Sequence, residues 1–335
     1  MSEQIIENVP LQTAAGRQVP QSSILETTLQ EYSLAGFHDE YMEYDASNEE
    51  CVIIPAIQRS EEHPDVESYI PQYVQPKRLQ IISEEELAMF QKVRKQNFEY
   101  FEKIRGRYVN ILEGLELHTD VFSENEQKRM VKYIFDLRER GREGLLKGRT
   151  YSEPRKWMKD KSRITIQYGC CYNYAYDKRG NPPRIIRHDE VDPLPPLMKR
   201  MIKMMVEWRI LPVHKVPNSC IINIYEERDC IPPHIDNHDF VRPFCIVSLI
   251  SKCNIMFGKE IRVIGPAEFR GAMEIPLPVG SVLLLKGNGA DLAKHCVPGV
   301  PQKRISITFR RMDDSKVPFG YQHDPELEEL RPLEL

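Results

Sequence analysis

The sequence predicts an α+β protein in which helices flank an antiparallel sandwich or jelly roll of short strands. Between residues 217 and 311, short apolar segments alternate with breaks containing Gly or Pro, the pattern of a many-stranded antiparallel sheet. Upstream of this region, apolar residues recur at helical intervals behind capping signals. The predicted strands are 220–225, 244–250, 254–257, 281–285 and 304–310.

Composition restricts the protein class. Of the 335 residues, 41% are hydrophobic and 29% are charged, which is typical of a soluble globular protein, and no apolar run is long enough to span a membrane. The first residues lack a secretory signal, so we expect the cytoplasm and/or the nucleus. The eight cysteines form no CxxC pair, which argues against a zinc ribbon or a disulfide scaffold and predicts free thiols.

The charge is distributed unevenly along the chain. Residues 1–80 carry 14 acidic and 4 basic residues, whereas the remainder carries 36 acidic and 42 basic ones. Residues 1–78 also lack sustained periodicity and contain recurring prolines, so they are predicted to form a disordered acidic leader. No protein partner is predicted for this leader. The mildly basic remainder can bind a polyanion, although ordinary surface charge explains the same balance.

Helix-start signals occur at two serines. Ser83 followed by Glu86, and Ser123 followed by Glu126, have the spacing of a capping box. Apolar residues then recur at roughly helical intervals after each serine. A third helix, carrying Met201 and Met205, is more typical of core packing than of a cofactor site. The predicted helical segments are 79–107, 123–139 and one that begins after 192–196.

A basic stretch with interleaved aromatic residues follows the second predicted helix. Such a mixture provides phosphate contacts and base stacking, although a solvated loop is an equal alternative for the stretch taken alone. Its basic residues are Lys147, Arg149, Arg155, Lys156, Lys159, Lys161 and Arg163, and its aromatic residues are Tyr151, Trp157, Tyr168, Tyr172 and Tyr174.

The strongest local motif is His234-Ile235-Asp236. Residues i and i+2 of a strand point to the same face, so this imidazole and this carboxylate can reach one metal ion. His295 follows the predicted strand 281–285 and can supply a third ligand. Two histidines and one carboxylate form the facial triad of non-haem iron(II) oxygenases. An HxD pair is common by chance, however, and the neighbours His238 and Asp239 offer a competing assignment.

Two arginines on one predicted strand strengthen the metal hypothesis. Arg304 and Arg310 lie six residues apart in the segment RISITFR and therefore on the same face. Arg304 can form a bidentate pair with the far carboxylate of a keto diacid, and Arg310 can serve its near end or orient the metal-binding carboxylate. Upstream, Asn223 and Tyr225 share one strand face and can hydrogen-bond the same diacid.

In these residues the chain resembles the AlkB family of dioxygenases. The segment 287–311 looks most like the plant branch related to the RNA N6-methyladenine demethylases, and 138–180 resembles the nucleotide-binding lid of that branch. The resemblance covers about residues 108–313. One departure is Ser306, which stands where the family usually has Asn. The matching motif residues are Asn223, Tyr225, His234, Asp236, His295, Arg304 and Arg310.

The resemblance implies a double-stranded β-helix (jelly-roll) core, spanning 108–313 with a lid at about 147–180, followed by a C-terminal tail, 314–335. It also implies that the metal is Fe(II), bound by His234, Asp236 and His295, and that the co-substrates are 2-oxoglutarate and O2. The implied reaction hydroxylates an N-methyl carbon and releases formaldehyde, succinate and carbon dioxide. The implied substrate is single-stranded methylated RNA, including mRNA, bound by Arg163, Tyr172 and Tyr174.

Three functions compete at this point. The first is an RNA N6-methyladenine demethylase, and the second is repair of alkylated DNA or another 2-oxoglutarate-dependent hydroxylation. The third is a catalytically inactive RNA-binding module. Retention of the three metal ligands and of both arginines argues against the third. The resemblance of the lid favours RNA over DNA.

Overall fold

A computed structural model describes residues 83–154, 163–174 and 182–334 of the chain. The helices within these residues are α1 (Glu84–Lys92), α2 (Glu124–Arg142), α3 (Pro196–Glu207) and the short α4 (Asn288–Asp291). The strands are β1 (Arg94–Asn97), β2 (Phe101–Ile104), β3 (Arg107–Asn110), β4 (Glu116–Thr119), β5 (Tyr151–Ser152), β6 (Ile164–Gly169), β7 (Tyr172–Asn173), β8 (Arg184–Ile185), β9 (Ser219–Tyr225), β10 (Ile231–His234), β11 (Phe240–Leu249), β12 (Cys253–Gly258), β13 (Arg262–Gly265), β14 (Glu268–Arg270), β15 (Met273–Leu277), β16 (Val282–Leu285), β17 (Lys294–Val297) and β18 (Arg304–Met312).

Two antiparallel sheets form the core. The major sheet has eight strands in the order β1-β4-β16-β11-β18-β9-β6-β5, and the minor sheet has four in the order β10-β17-β12-β15. Apolar side chains of both sheets meet in one buried cluster, including Phe244 and Leu283 from the major sheet and Ile255 and Phe257 from the minor sheet. This arrangement confirms the predicted jelly roll.

The central strands of the major sheet have two different faces because successive side chains of a strand alternate. On β18, the side chains of Ile305, Ile307 and Phe309 are fully buried in a cluster shared with α2 and α3. Arg304 and Arg310 occupy the alternate positions and lie on the opposite face, which is turned towards the minor sheet. The helices therefore pack on the apolar face of β18, and its polar face is available to form the functional site.

The predicted helix starts are confirmed at both serines. Ser83 and Ser123 each accept a hydrogen bond from the backbone of the glutamate three residues later, and the carboxylate of that glutamate accepts one from the serine backbone N–H. The apolar stripe of α2 is buried against the major sheet, as are Met201 and Met205 of α3, which confirms their predicted core role.

The predicted helical segment 79–107 is wrong beyond Lys92. The chain turns at Val93 and continues as β1, which pairs with β4, and then as the β2–β3 hairpin. The turn of this hairpin has two residues of positive φ, Arg105 and Gly106, which suits the right-handed twist of a two-residue hairpin. Phe90 packs on the helix side of the major sheet whereas Phe98 packs between the sheets, so their helical spacing was coincidental.

The predicted C-terminal tail, 314–335, is packed against the domain through residue 334. Leu327 and Leu333 are buried in the cluster around α3, and Lys199 of that helix bonds Glu326. The seven cysteines of the described residues are buried free thiols. None of the described helices is long and apolar enough to cross a membrane. The predicted leader, 1–78, and the lid segments 155–162 and 175–181 lie outside the described residues.

Candidate metal centre and its buried arginines

The antiparallel pairing of β10 with β17 brings two histidines together. His234, at the end of β10, lies opposite His295 of β17, and their ring centroids are 4.4 Å apart. Asp236 follows two residues after His234, with its Oδ1 3.8 Å from His234 Nε2 and its Oδ2 3.4 Å from His295 Nε2. One potential ligand atom from each of these three residues lies within 4.8 Å of the other two. The donor set therefore fits a single transition-metal ion.

Hydrogen bonding and burial keep both imidazoles suitable for metal binding. His234 Nδ1 lies 2.8 Å from the carbonyl oxygen of Pro232, which can only accept, so Nδ1 donates this hydrogen bond and Nε2 is the nitrogen that lies near Asp236. Burial lowers the pKa of His295 to about 4, although the neighbouring Asp236 opposes this shift. His295 is therefore neutral at neutral pH, which is the form that binds metals.

The competing assignment to His238 and Asp239 is not supported by the geometry. The side chain of His238 is 73% exposed, and its Nδ1 lies 3.8 Å from Asp291. Asp239 accepts a hydrogen bond from the side chain of Asn237, its neighbour in the same loop. Both side chains therefore lie outside the group formed by His234, Asp236 and His295.

The loop that carries Asp236 is held by Arg242. This guanidinium donates to the carbonyl oxygens of Asp236 at 3.0 Å, Asn237 at 3.2 Å and Phe240 at 2.7 Å. Its Nε bonds Asp291 of α4 at 2.7 Å. Arg242 is a positioning residue that the sequence patterns did not reveal, because its partners are backbone carbonyls whose location depends on the fold.

Arg304 is a buried cation without a carboxylate partner among the described residues. It is 1% exposed, its NH2 donates to Ser248 at 3.1 Å, and its Nε and NH1 have no hydrogen-bond partner. The guanidinium carbon also lies 5.1 Å from the ring centroid of Tyr225. Unpaired buried charge is costly, so this pocket fits an anionic ligand such as the carboxylate of 2-oxoglutarate. Ser248 was missed by the sequence analysis, although strand alternation alone would have placed it inward.

Arg310 occupies the other end of the same strand face. It is 3% exposed, donates to the hydroxyls of Tyr174 at 2.9 Å and Ser219 at 3.2 Å, and stacks over Phe240 at 4.0 Å. Its observed partners are thus the lid tyrosine and the sheet. No bond to the metal-binding carboxylate is present in the described structure.

Asn223 lies between Ser306 of β18 and Thr165 of β6 in the register of the major sheet. Its Oδ1 accepts hydrogen bonds from Arg163 Nε at 3.1 Å and from Thr165 at 3.2 Å. The structure thus places Arg163 against a residue of the predicted co-substrate set. Ser306, the departure from the family pattern, lies 3.3 Å from the Tyr225 hydroxyl and so remains within this polar face.

The predicted lid residues Tyr172 and Tyr174 lie together beside Arg310. Their ring centroids are 5.0 Å apart and their planes are tilted by 53°. Tyr172 is partly buried against the cluster between the sheets, whereas Tyr174 is 53% exposed. Tyr174 therefore offers more free aromatic surface than Tyr172.

We expect His234→Ala and Asp236→Ala to abolish binding of one equivalent of divalent metal, because the remaining two side chains cannot form the facial triad. Anaerobic calorimetric titration with Fe(II) or Mn(II) measures this loss, and circular dichroism verifies the fold. His238→Ala is the matched control and should bind like the wild type. Normal binding by His234→Ala with loss in His238→Ala would transfer the role to His238.

We expect Arg242→Ala to weaken metal binding by about 10- to 100-fold, because a group that orients a ligand contributes on this scale. The same titration measures the change. Arg262→Ala, at an exposed arginine of β13, is the control for loss of one positive charge. Equal metal affinity in Arg242→Ala and the wild type would show that the Asp236 loop holds its position without the guanidinium.

Comparison with known proteins agrees with this geometry. The RNA demethylase ALKBH9B of Arabidopsis thaliana is 57% identical over 251 residues, covering 75% of this chain and 50% of the relative. The RNA demethylase ALKBH10B of the same plant is 30% identical, covering 64% of this chain and 38% of the relative. The RNA demethylase ALKBH5 of Xenopus tropicalis is 30% identical, covering 57% and 53%. The chain thus spans about half the length, or less, of these curated relatives.

The sequence profile described as the 2OG-Fe(II) oxygenase superfamily matches residues 114–310. This range contains the three potential metal ligands and both buried arginines. The chain belongs to the 2OG-Fe(II) oxygenase superfamily, with Fe(II), 2-oxoglutarate and O2 as its metal and co-substrates.

Proposed function

We propose that this chain is an oxidative demethylase that removes N6-methyl groups from adenine in single-stranded RNA. The observation that carries the chemistry is the metal-binding geometry of His234, Asp236 and His295, together with Arg304, whose guanidinium keeps two nitrogens without partners on the face of β18 turned towards the minor sheet. The RNA substrate is supported by the relatives that are named RNA demethylases. The compartment, cytoplasm and/or nucleus, stays a prediction.

In the proposed reaction, His234, Asp236 and His295 would hold Fe(II) as a two-histidine, one-carboxylate set. Bound iron supplies the oxidising chemistry, in which O2 and 2-oxoglutarate yield succinate and carbon dioxide while the methyl carbon is hydroxylated and then lost as formaldehyde. The contribution of the protein is to fix the geometry of these ligands and to bind both substrates. Arg242 supports the same geometry by holding the Asp236 loop.

We assign the far carboxylate of 2-oxoglutarate to Arg304. NH1 has no partner and NH2 donates one of its two hydrogens to Ser248, so these two nitrogens can still donate side by side to the two oxygens of a carboxylate. Tyr225, with its hydroxyl near Ser306, and Asn223 line the same strand face and complete the polar pocket. Arg310 closes the other end of this face.

We assign contact with the RNA base to the lid residues. A base within a helix must leave its stack before its methyl group can reach a buried metal, and aromatic side chains compensate for the lost stacking. Tyr174 provides an exposed ring that is anchored by Arg310, and Tyr172 packs beside it. Arg163 donates a hydrogen bond to Asn223 at the edge of the proposed co-substrate pocket, and we assign it a contact with the target nucleotide.

We expect Arg304→Ala to raise the apparent KM for 2-oxoglutarate about 10- to 100-fold, because a charge-assisted hydrogen bond contributes roughly 1.5–3 kcal/mol. Succinate formation at varied 2-oxoglutarate measures this change. Arg304→Lys should recover part of the loss, since a point charge cannot reproduce the guanidinium fork. An unchanged KM in Arg304→Ala would assign the anchor to another basic residue.

We expect N6-methyladenine in single-stranded RNA to be demethylated faster than the same base in a stable duplex, because unpairing costs a few kcal/mol. Mass spectrometry of matched RNA and DNA oligonucleotides, single-stranded and duplex, measures adenine formation. The control is His234→Ala, which should be inactive on every substrate.

Two outcomes would contradict parts of this proposal. A clear preference for methylated DNA would replace the RNA substrate while leaving the demethylase reaction intact. Activity on a methylated peptide, with none on any nucleic acid, would leave only the superfamily chemistry.

A further inference from the structure

The β2–β3 hairpin presents aromatic and basic side chains to solvent. Phe101 is 56% exposed and Tyr108 is 74% exposed. Lys103 and Tyr108 are direct cross-strand partners, so they lie on the same face of the hairpin as Phe101. The hairpin precedes the range 114–310 matched by the superfamily profile.

The exposed positive charge of this hairpin is not neutralised by the described residues. Lys103, Arg105 and Arg107 are exposed and have no ion-pair partner within the described part of the chain. The opposite face carries Arg107, the cross-strand partner of Ile104, and Glu102, which accepts a hydrogen bond from the backbone of Lys259 at 3.3 Å. The outward face therefore combines two aromatic rings with Lys103, and Arg105 lies in the adjoining turn.

The other face of the hairpin anchors it to the domain. Ile104 packs with the buried cluster between the two sheets. At its base, Asn110 Oδ1 accepts from the backbone of Tyr100 and Leu112, and the Asn110 carbonyl accepts from Asn288 of α4 at 2.9 Å. The hairpin is thus a fixed feature and its exposed rings are held in place.

These anchors place the hairpin at the metal-site end of the minor sheet. Glu102 accepts a hydrogen bond from the backbone of Lys259, the residue that follows β12. Two residues before Lys259, Phe257 of β12 pairs with His295 of β17. Asn288 is three residues before Asp291, whose carboxylate bonds the same Arg242 that holds the Asp236 carbonyl. The hairpin is therefore attached to the same elements that hold the metal-binding residues.

We propose that the β2–β3 hairpin is a second binding surface for single-stranded RNA, which contacts nucleotides flanking the methylated base. The inference rests on the proposed function and extends it. Phe101 and Tyr108 stack on bases, and Lys103 and Arg105 contact phosphates. Stacking accepts any base, so this surface contributes affinity without sequence preference.

The chemistry of the hairpin favours RNA over an apolar protein partner. Its exposed face lacks aliphatic side chains and instead alternates rings with cations, the combination that single-stranded nucleic acid requires. Tyr174 of the lid also provides an exposed ring beside a cation, Arg310, so the two surfaces offer similar chemistry.

The test measures binding of unmethylated single-stranded RNA of roughly 16 nucleotides, the upper end of the usual site size, to the full chain by fluorescence anisotropy. We expect the double variant Phe101→Ala, Tyr108→Ala to raise Kd about tenfold or more. The double variant Phe101→Leu, Tyr108→Leu should lose binding similarly, and Phe101→Trp, Tyr108→Trp should retain it, because stacking requires an aromatic ring. Wild-type affinity in the double alanine variant or in the double leucine variant would overturn the proposal.

The charge contribution is tested through salt dependence. Replacing Lys103 and Arg105 with Ala should reduce the slope of log Kd against log salt by about 1.4, since each lost contact to a single strand changes it by about 0.7. The matched control replaces Lys128 and Lys132, exposed on α2 at the opposite side of the major sheet, and should leave the slope unchanged. Equal slopes in both double variants would overturn the phosphate contacts.

The readouts separate this inference from the proposed function. Binding of unmethylated RNA requires neither metal nor turnover, so loss of binding in the hairpin variants supports the surface even if the chain demethylates another substrate. Demethylation of RNA with wild-type KM in the Phe101 and Tyr108 variants would instead retain the function and overturn the surface. Single-nucleotide substrates should show no difference, because they cannot reach both sites.

Discussion

The site depends on the alternation of side chains along the central strands of the major sheet. On β18, every second residue is apolar and is buried against α2 and α3, so the residues between them must face the minor sheet. This is how Arg304 and Arg310 come to lie in the interior of a jelly roll. A shift of the strand by one residue would exchange the two faces and bury the arginines among the helices.

Burying charged side chains on the face of β18 turned towards the minor sheet is unfavourable in free energy, whereas burying the apolar side chains on its helix side is not. Two guanidinium groups are withdrawn from water on the face towards the minor sheet, and Arg304 keeps two donors without partners in the described structure. Stability alone would favour apolar side chains at such positions, because unpaired buried charge is unfavourable. The apolar layer behind β18 compensates for this cost, and the unsatisfied donors remain available to an anionic co-substrate.

The metal ligands are linked to surrounding elements by a short chain of hydrogen bonds. Arg242 joins the backbone of the Asp236 loop to Asp291 of α4, and Asn288 of the same helix joins the β2–β3 hairpin. One short helix therefore connects the metal loop with the proposed RNA surface. Such a connection fixes the relative position of two sites, which matters when one substrate must occupy both.

The sequence by itself determined five strands between residues 220 and 310, the capping boxes, the facial-triad motif and the face shared by Arg304 and Arg310, because each depends on local spacing or strand alternation. The helix predicted from the sequence was wrong after Lys92. The helical spacing of Phe90 and Phe98 suggested one helix, but the two residues pack in different clusters. Only the tertiary structure decided that His234 lies opposite His295, that His238 turns away, and that Arg242 holds the loop. These features depend on pairing between strands distant in the chain, and strand register is set by packing of the whole sheet.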